Sequence, residues 1–98
     1  MANICDNELH VVTNDPKNRE EIIKFFEDEW EYVITDQYDD YIEIHFDSRW
    51  CFPEKEMNDL FEKLPNKNDI DMSCLSVEWG CYYCAFHTLG NNGWEYCN

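Results

Sequence analysis

The sequence predicts an α+β domain: an antiparallel sheet with two helices on one of its faces. Three observations lead there. Two segments place apolar residues at helical spacing, several others alternate apolar and polar residues with the period of two of a strand, and two strand segments lie between the helices.

Residues 7–13, NELHVVT, read as a first strand, with Leu9 and Val11 on one face and Val12 on the other. Asp15 and Pro16 supply a helix N-cap and first-turn proline. Ile22, Ile23, Phe26 and Trp30 then recur at helical spacing, which predicts a helix over 17–29. Tyr32, Val33 and Ile34 predict a short strand over 31–35, and the run DQYDD supplies turn chemistry. Residues 41–47 alternate cleanly, with Ile42, Ile44 and Phe46 on one face and Tyr41, Glu43, His45 and Asp47 on the other. Pro53 opens a second helix carrying Met57, Leu60, Phe61 and Leu64, and Pro65 closes it. A fourth strand spans 70–79 with Leu75, Val77 and Trp79 alternating, and Gly80 breaks it. Residues 82–89 predict a fifth strand, GNNG a tight turn, and 94–97 a short last strand. The order β-α-β-β-α-β plus a C-terminal hairpin extension fits a ferredoxin-like sandwich, a fold name that implies no iron–sulfur cluster.

The 98 residues suffice for one domain, 1–98, with one modest core. At 44% hydrophobic and 16% aromatic, the chain is too apolar for a disordered acidic tail. Its 22 acids against 7 bases give a net charge of −15. That charge repels nucleic acid and anionic membranes, so neither is expected as a direct partner. Basic proteins, cationic ligands and metal ions are the partners it favours. No secretory signal and no long apolar run is visible, so a cytoplasmic setting with reduced cysteines is expected.

Several short motifs resemble the YubB-like ferredoxin-fold proteins of plasmids, phages and other mobile genetic elements. Asn3-Ile4-Cys5-Asp6-Asn7-Glu8-Leu9 is similar to that family's opening Asn-Trp-Cys-x-Asn-x-Leu, with Ile4 in place of the tryptophan. Phe46, Trp50 and Pro53 resemble its segment before the second helix, although Arg49 and the Cys51-Phe52 pair depart from it. Gly80 and Tyr83 match more loosely. The resemblance implies the sandwich fold and a mobile-element origin. It carries over no catalytic residue, and its matching positions imply structural roles: a strand start, a tryptophan plug and a helix-start proline.

Cys81-Tyr82-Tyr83-Cys84, with His87 and Cys97, contains the residue types of a Cys3His zinc site. Residues three apart on a strand point to opposite faces, so the set converges only if the chain bends after Gly80. Cys5 and Cys74 are expected to line the core and Cys51 to be exposed. His45 shares a strand face with Glu43 and Asp47, a pattern open to a cation or to plain solvation. The chain has no Gly-rich phosphate loop, no G-x-S-x-G and no H-E-x-x-H, and no histidine pairs with a cysteine as a nucleophile's base. An enzyme is not expected, nor a cofactor.

The stretch from Phe25 to Asp47 holds nine carboxylates and no lysine or arginine. Acids at the end of a helix oppose its dipole, so stability alone would not choose them. Two readings stay open: a solvated face that prevents aggregation, or a binding surface for a basic host protein. In the second, Glu27, Asp28, Glu31, Asp36, Asp39 and Asp40 form one connected acidic rim, with Tyr38 and Tyr41 as contact aromatics. The chain would then be a non-enzymatic inhibitor that imitates nucleic acid before a nucleic-acid-binding protein. A zinc protein built on Cys81, Cys84, His87 and Cys97, or an accessory domain with no dedicated site, are the alternatives.

Overall fold

The computed structural model describes residues 4–80 and 82–97. The chain runs β1 (Ile4–Val12), α1 (Pro16–Glu29), β2 (Tyr32–Gln37), β3 (Tyr41–Arg49), α2 (Glu54–Lys63), β4 (Asp71–Glu78), β5 (Tyr83–Gly90) and β6 (Gly93–Cys97). The strands form one antiparallel sheet in the order β2-β3-β1-β4-β5-β6. Both helices cover the same face. Leu9, Val11, Ile42, Ile44, Phe46, Met72 and Cys74 point inward to meet Ile22, Phe25 and Phe26 of α1 and Met57, Leu60 and Phe61 of α2. Each such large side chain removed from water contributes about 1.5–3 kcal/mol. Among the described residues, no layer lies upon the opposite sheet face.

Helix α1 begins as expected. The Asp15 carboxylate accepts from the Lys17 N–H, and Pro16 sits in the first turn, where a missing N–H costs nothing. Its C-terminal end packs an aromatic cluster: the Phe26 ring lies 4.8 Å from Phe46 and 5.6 Å from Trp30. Helix α2 has Glu54 and Glu56 in its first turn and Lys63 in its last, so its charges agree with the helix dipole. Helix α1 has no basic residue in its last turn, where Glu27, Asp28 and Glu29 stand.

Buried polar side chains tie the layers together. Asn7, at the centre of the sheet, donates to the carbonyls of Cys5 and Phe46 and to the Ser48 hydroxyl, and accepts from the Ser76 hydroxyl at 2.7 Å. One amide thus links β1, β3 and β4. Asn18 does the same at the other end, bonding Thr13, Asn66 and Asp69 and fixing the loop after α2.

The structure adjusts several expectations. β1 begins three residues earlier than predicted, and β2 runs to Gln37, absorbing part of the predicted turn. β4 turns its apolar pattern around: Met72, Cys74, Ser76 and Glu78 are buried, whereas Leu75 and Val77 stand on the uncovered face. Trp79 is 73% exposed beyond the strand end. Trp50 is not a plug; it is 51% exposed and holds a φ of 72° in the β3–α2 loop. Phe52 fills the core instead and stacks on His87 at 3.9 Å.

The C-terminal hairpin is docked rather than appended. Asn58 of α2 accepts from the Trp94 N–H, and the Trp94 indole N–H donates to the Met57 carbonyl at 3.0 Å. Gly93 has a φ of +126°, and a Cβ there would lie 2.6 Å from the Asn58 side-chain oxygen. Gly90 crowds only the flexible end of Glu95. Gly93→Ala is therefore expected to cost about 1–3 kcal/mol in urea unfolding, through both strain and the lost Asn58 contact. Gly90→Ala should cost well under half as much.

Candidate functional site

The uncovered face follows from strand parity. With Leu9, Val11, Ile42, Ile44 and Phe46 inward, Asp6, Glu8, His10, Tyr41, Glu43, His45 and Asp47 must point out. Register then decides which of them meet. Asp6 lies opposite Asp47, Glu8 opposite His45, and His10 opposite Glu43. The central strand and its neighbour thus carry three facing rows of carboxylates and imidazoles.

Side chains in these rows form one network. Glu43 receives hydrogen bonds from the Thr35 and Tyr41 hydroxyls and lies 3.1 Å from His45 Nε2. His10 sits between the Tyr41 hydroxyl on Nδ1 and the Glu8 carboxylate, 2.8 Å from Nε2. His45 Nε2 is also 3.5 Å from Glu8. The Thr35 hydroxyl, helped by His45 and Tyr41, holds the Glu43 carboxyl below the ordinary range. Burial and then the Glu43 carboxylate push the Tyr41 phenol up to about 12, and Asp36 adds to the effect. Asp47 goes the other way: burial, followed by Asp6 across the strand, raises its pKa. A hollow of about 430 Å³ opens beside this pair, lined by Asp6, Glu31, Val33, His45 and Asp47.

Basic residues are sorted away from this face. Lys17, Arg19 and Lys24 belong to α1, Lys55 and Lys63 to α2, and Lys67 to the loop after it. Arg49, at the end of β3, is the one base within the strands. The uncovered face next to the acidic rows includes an apolar pair: Leu75 lies opposite both Glu8 on β1 and Phe86 on β5, and Leu75 and Phe86 are each more than a third exposed.

The residues expected to form one acidic rim are divided between the ends of β2. Asp36, Tyr38, Asp39, Asp40 and Tyr41 gather at the β2–β3 hairpin, which Arg19 of α1 holds through the Tyr38 and Tyr41 carbonyls. Glu31 stands at the other end, beside Asp47. Glu27 lies near it, within reach of the Tyr32 hydroxyl. Asp28 faces the helix layer, in a hollow shared with Lys24 and Lys63. The two ends are joined not along α1 but across the sheet, through Asp47, Asp6, Glu8 and Glu43. Glu8, His10 and Asp6 are the residues that sequence reasoning missed. The outward parity of NELHVV held the signal; the facing register did not show.

The cysteine set does not converge. Cys84 and Cys97 are exposed and share the uncovered face with Phe86, whereas His87 is buried on the helix side against Phe52. Cys81 lies outside the described residues. Strand parity therefore separates the histidine from Cys84 and Cys97, and these three cannot bind one ion without unpairing β5. Burial raises the thiol pKa of Cys5 to about 11 and of Cys74 to about 12, so both are inert near neutrality.

Two opposite pH effects are expected. Glu43 has a lowered folded pKa, so its contribution is present above the unfolded value and is lost as pH falls through the folded one. Glu43→Gln should destabilise at neutral pH and progressively less in acid. Asp47 has a raised folded pKa, so its ionised form weakens the fold at neutral pH. Asp47→Asn should stabilise at neutral pH, with the gain vanishing near about pH 3, below the usual aspartate range. Urea titrations across pH check both signs. Alkylation followed by peptide mass analysis checks the thiols: Cys51, Cys84 and Cys97 should react in the folded protein, and Cys5 and Cys74 only after unfolding.

Comparison with protein-family models, with curated proteins and with solved structures brings no match to this chain.

Proposed function

We propose that this chain is a non-enzymatic protein-binding module on a ferredoxin-like sandwich, whose uncovered sheet face receives a basic protein. One observation carries the reading. Among the described residues, one sheet face is left without a covering layer, and apart from Arg49 at its end the fixed charges on it are acidic. Acids lie on both layers, nine of them on the two helices, but six of the seven bases are withdrawn to the helix layer and its following loop, so only the sheet face has its acids so little offset.

The strand order β2-β3-β1-β4 and the two helices on one face support the ferredoxin-like reading, with β5 and β6 as its extension. The residues that resemble the mobile-element family support it too: Asn7, Leu9 and Phe46 are buried, and Pro53 immediately precedes α2. On this reading the setting is the cytoplasm of a host cell, and the partner is a basic, nucleic-acid-binding host protein. Carboxylates two apart on a strand are spaced roughly 6.8 Å, on a rigid scaffold, with Tyr38 63% exposed at the hairpin beside them. Such an array can occupy a groove that holds phosphates, with fast and salt-sensitive association. The bordering Leu75 and Phe86 would add desolvated area. Glu31, Asp36, Asp39, Asp40, Tyr38 and Tyr41 keep a part in this surface, joined by Asp6, Glu8, Glu43 and Asp47; Glu27 sits at its margin, and Asp28 leaves it.

A pair of charge-matched variants tests the surface against net charge. The triple change Asp6→Asn, Asp36→Asn, Asp47→Asn alters the sheet face; Glu20→Gln, Glu21→Gln, Asp28→Asn alters α1 by the same three charges. Pull-down from host lysate should recover a basic protein with the wild type and the helix variant, and the sheet variant should lose it. Added DNA should compete. Equal loss in both variants, or no specific capture, would contradict the reading.

A further inference from the structure

Glu8, His10, Glu43 and His45 occupy a two-by-two checkerboard. Along each strand a carboxylate and an imidazole are two residues apart; across the strands Glu8 faces His45 and His10 faces Glu43. Each acid therefore touches imidazole both along its strand and across to the next. Ligand atoms of Glu8, His10 and Glu43 all lie within 4.8 Å of one another. His45 Nε2 stands beside this group, 3.1 Å from Glu43 Oε2 and 3.5 Å from Glu8 Oε1.

We propose that this checkerboard binds a divalent transition-metal ion of the zinc class. Imidazole nitrogen with carboxylate oxygen is a borderline donor set that suits zinc, cobalt or nickel, whereas calcium and magnesium take shells of oxygen. Metal–ligand bonds of about 2.0–2.2 Å place tetrahedral ligands roughly 3.4 Å apart. The His45 Nε2–Glu43 Oε2, His45 Nε2–Glu8 Oε1 and His10 Nε2–Glu8 Oε2 separations, 3.1, 3.5 and 2.8 Å, lie near that spacing.

The hydrogen bonds around the cluster have the form that orients metal ligands. The Tyr41 hydroxyl lies within hydrogen-bond distance of both Glu43 Oε1 and His10 Nδ1, so it ties a carboxylate of β3 to an imidazole of β1. The other ring nitrogen of His10, Nε2, faces Glu8 Oε2, 2.8 Å away. Thr35 fixes the other side of Glu43. Such outer partners set ring orientation and ligand basicity. The ligands sit on β1 and β3, paired strands inside the sheet, so little ordering remains to be done on binding.

Titration with zinc chloride, and with cobalt(II) as a spectroscopic probe, tests the site on folded protein whose exposed thiols have first been alkylated. One equivalent should bind, with cobalt d–d bands and no thiolate-to-cobalt charge-transfer band. Glu43→Gln should abolish binding, and Tyr41→Phe should weaken it by about tenfold. In the wild type, zinc should shift the NMR signals of the His10 and His45 rings and leave His87 unmoved, a readout that needs no variant to fold. Loss of binding upon alkylation, unchanged binding in Glu43→Gln, or histidine rings that do not respond would each overturn the proposal.

Discussion

The structure depends on the register of β1. This strand lies between β3 and β4, antiparallel to both, and contributes Cys5, Asn7, Leu9 and Val11 inward. A slip of one residue would turn that whole set outward. Apolar burial opposes the slip, and so does Asn7, whose amide has partners on three strands. An apolar residue could fill the space, but it would leave Ser48, Ser76 and the Phe46 carbonyl to find other partners, which is costly in the interior. The same register that buries Leu9 opposite Ile44 sets Glu8 against His45 and His10 against Glu43. Core and surface are thus two consequences of one alignment.

Electrostatics divides the molecule into layers. The two helices carry five of the seven bases beside nine acids and α2 is charged in agreement with its dipole, while the uncovered sheet face sets its acids beside His10, His45 and Arg49. A net charge of −15 makes self-repulsion a general cost, yet Glu43, in the middle of the sheet face, is satisfied by two hydroxyls and an imidazole. Glu43 gains from its surroundings and Asp47 loses, although both lie on the same strand face. The Thr35 hydroxyl, with His45 and Tyr41, lowers the pKa of the first; burial, followed by Asp6 across the strand, raises that of the second. The acidic face is therefore not uniform, and its middle is better suited to holding a cation than its end.

Much of the fold was legible because its signals are local. Asp15-Pro16 starts α1, the alternation through Ile42, Ile44 and Phe46 defines β3, and the helical stripe of Met57, Leu60 and Phe61 defines α2. β4 was harder: Leu75 and Val77 suggest an inward face, but Met72 and Cys74 take it, because the sheet's other side is also partly apolar beside β5. Trp50 misled for a similar reason, since Phe52 two residues later fills the core. The site was legible only in part. Parity marked Glu43 and His45 as outward, but the pairing of β1 with the distant β3 brings Glu8 and His10 to them, and no local pattern encodes that. The acidic run also suggested a rim along the end of α1; the length of β2 separates its halves, and β1 supplies the connection.

The central claim is that the uncovered sheet face, and not the acidic charge as a whole, is the binding surface. The most direct measurement is an amide NMR titration of the labelled protein with a short arginine-rich peptide, repeated at raised salt. The account predicts shifts centred on residues 6–10 and 41–47, weakening with salt, while the amides of α1 and α2 stay in place. Shifts concentrated on Glu27, Asp28 and Glu29 at the end of α1, or spread evenly over the acidic residues of both layers, would contradict it.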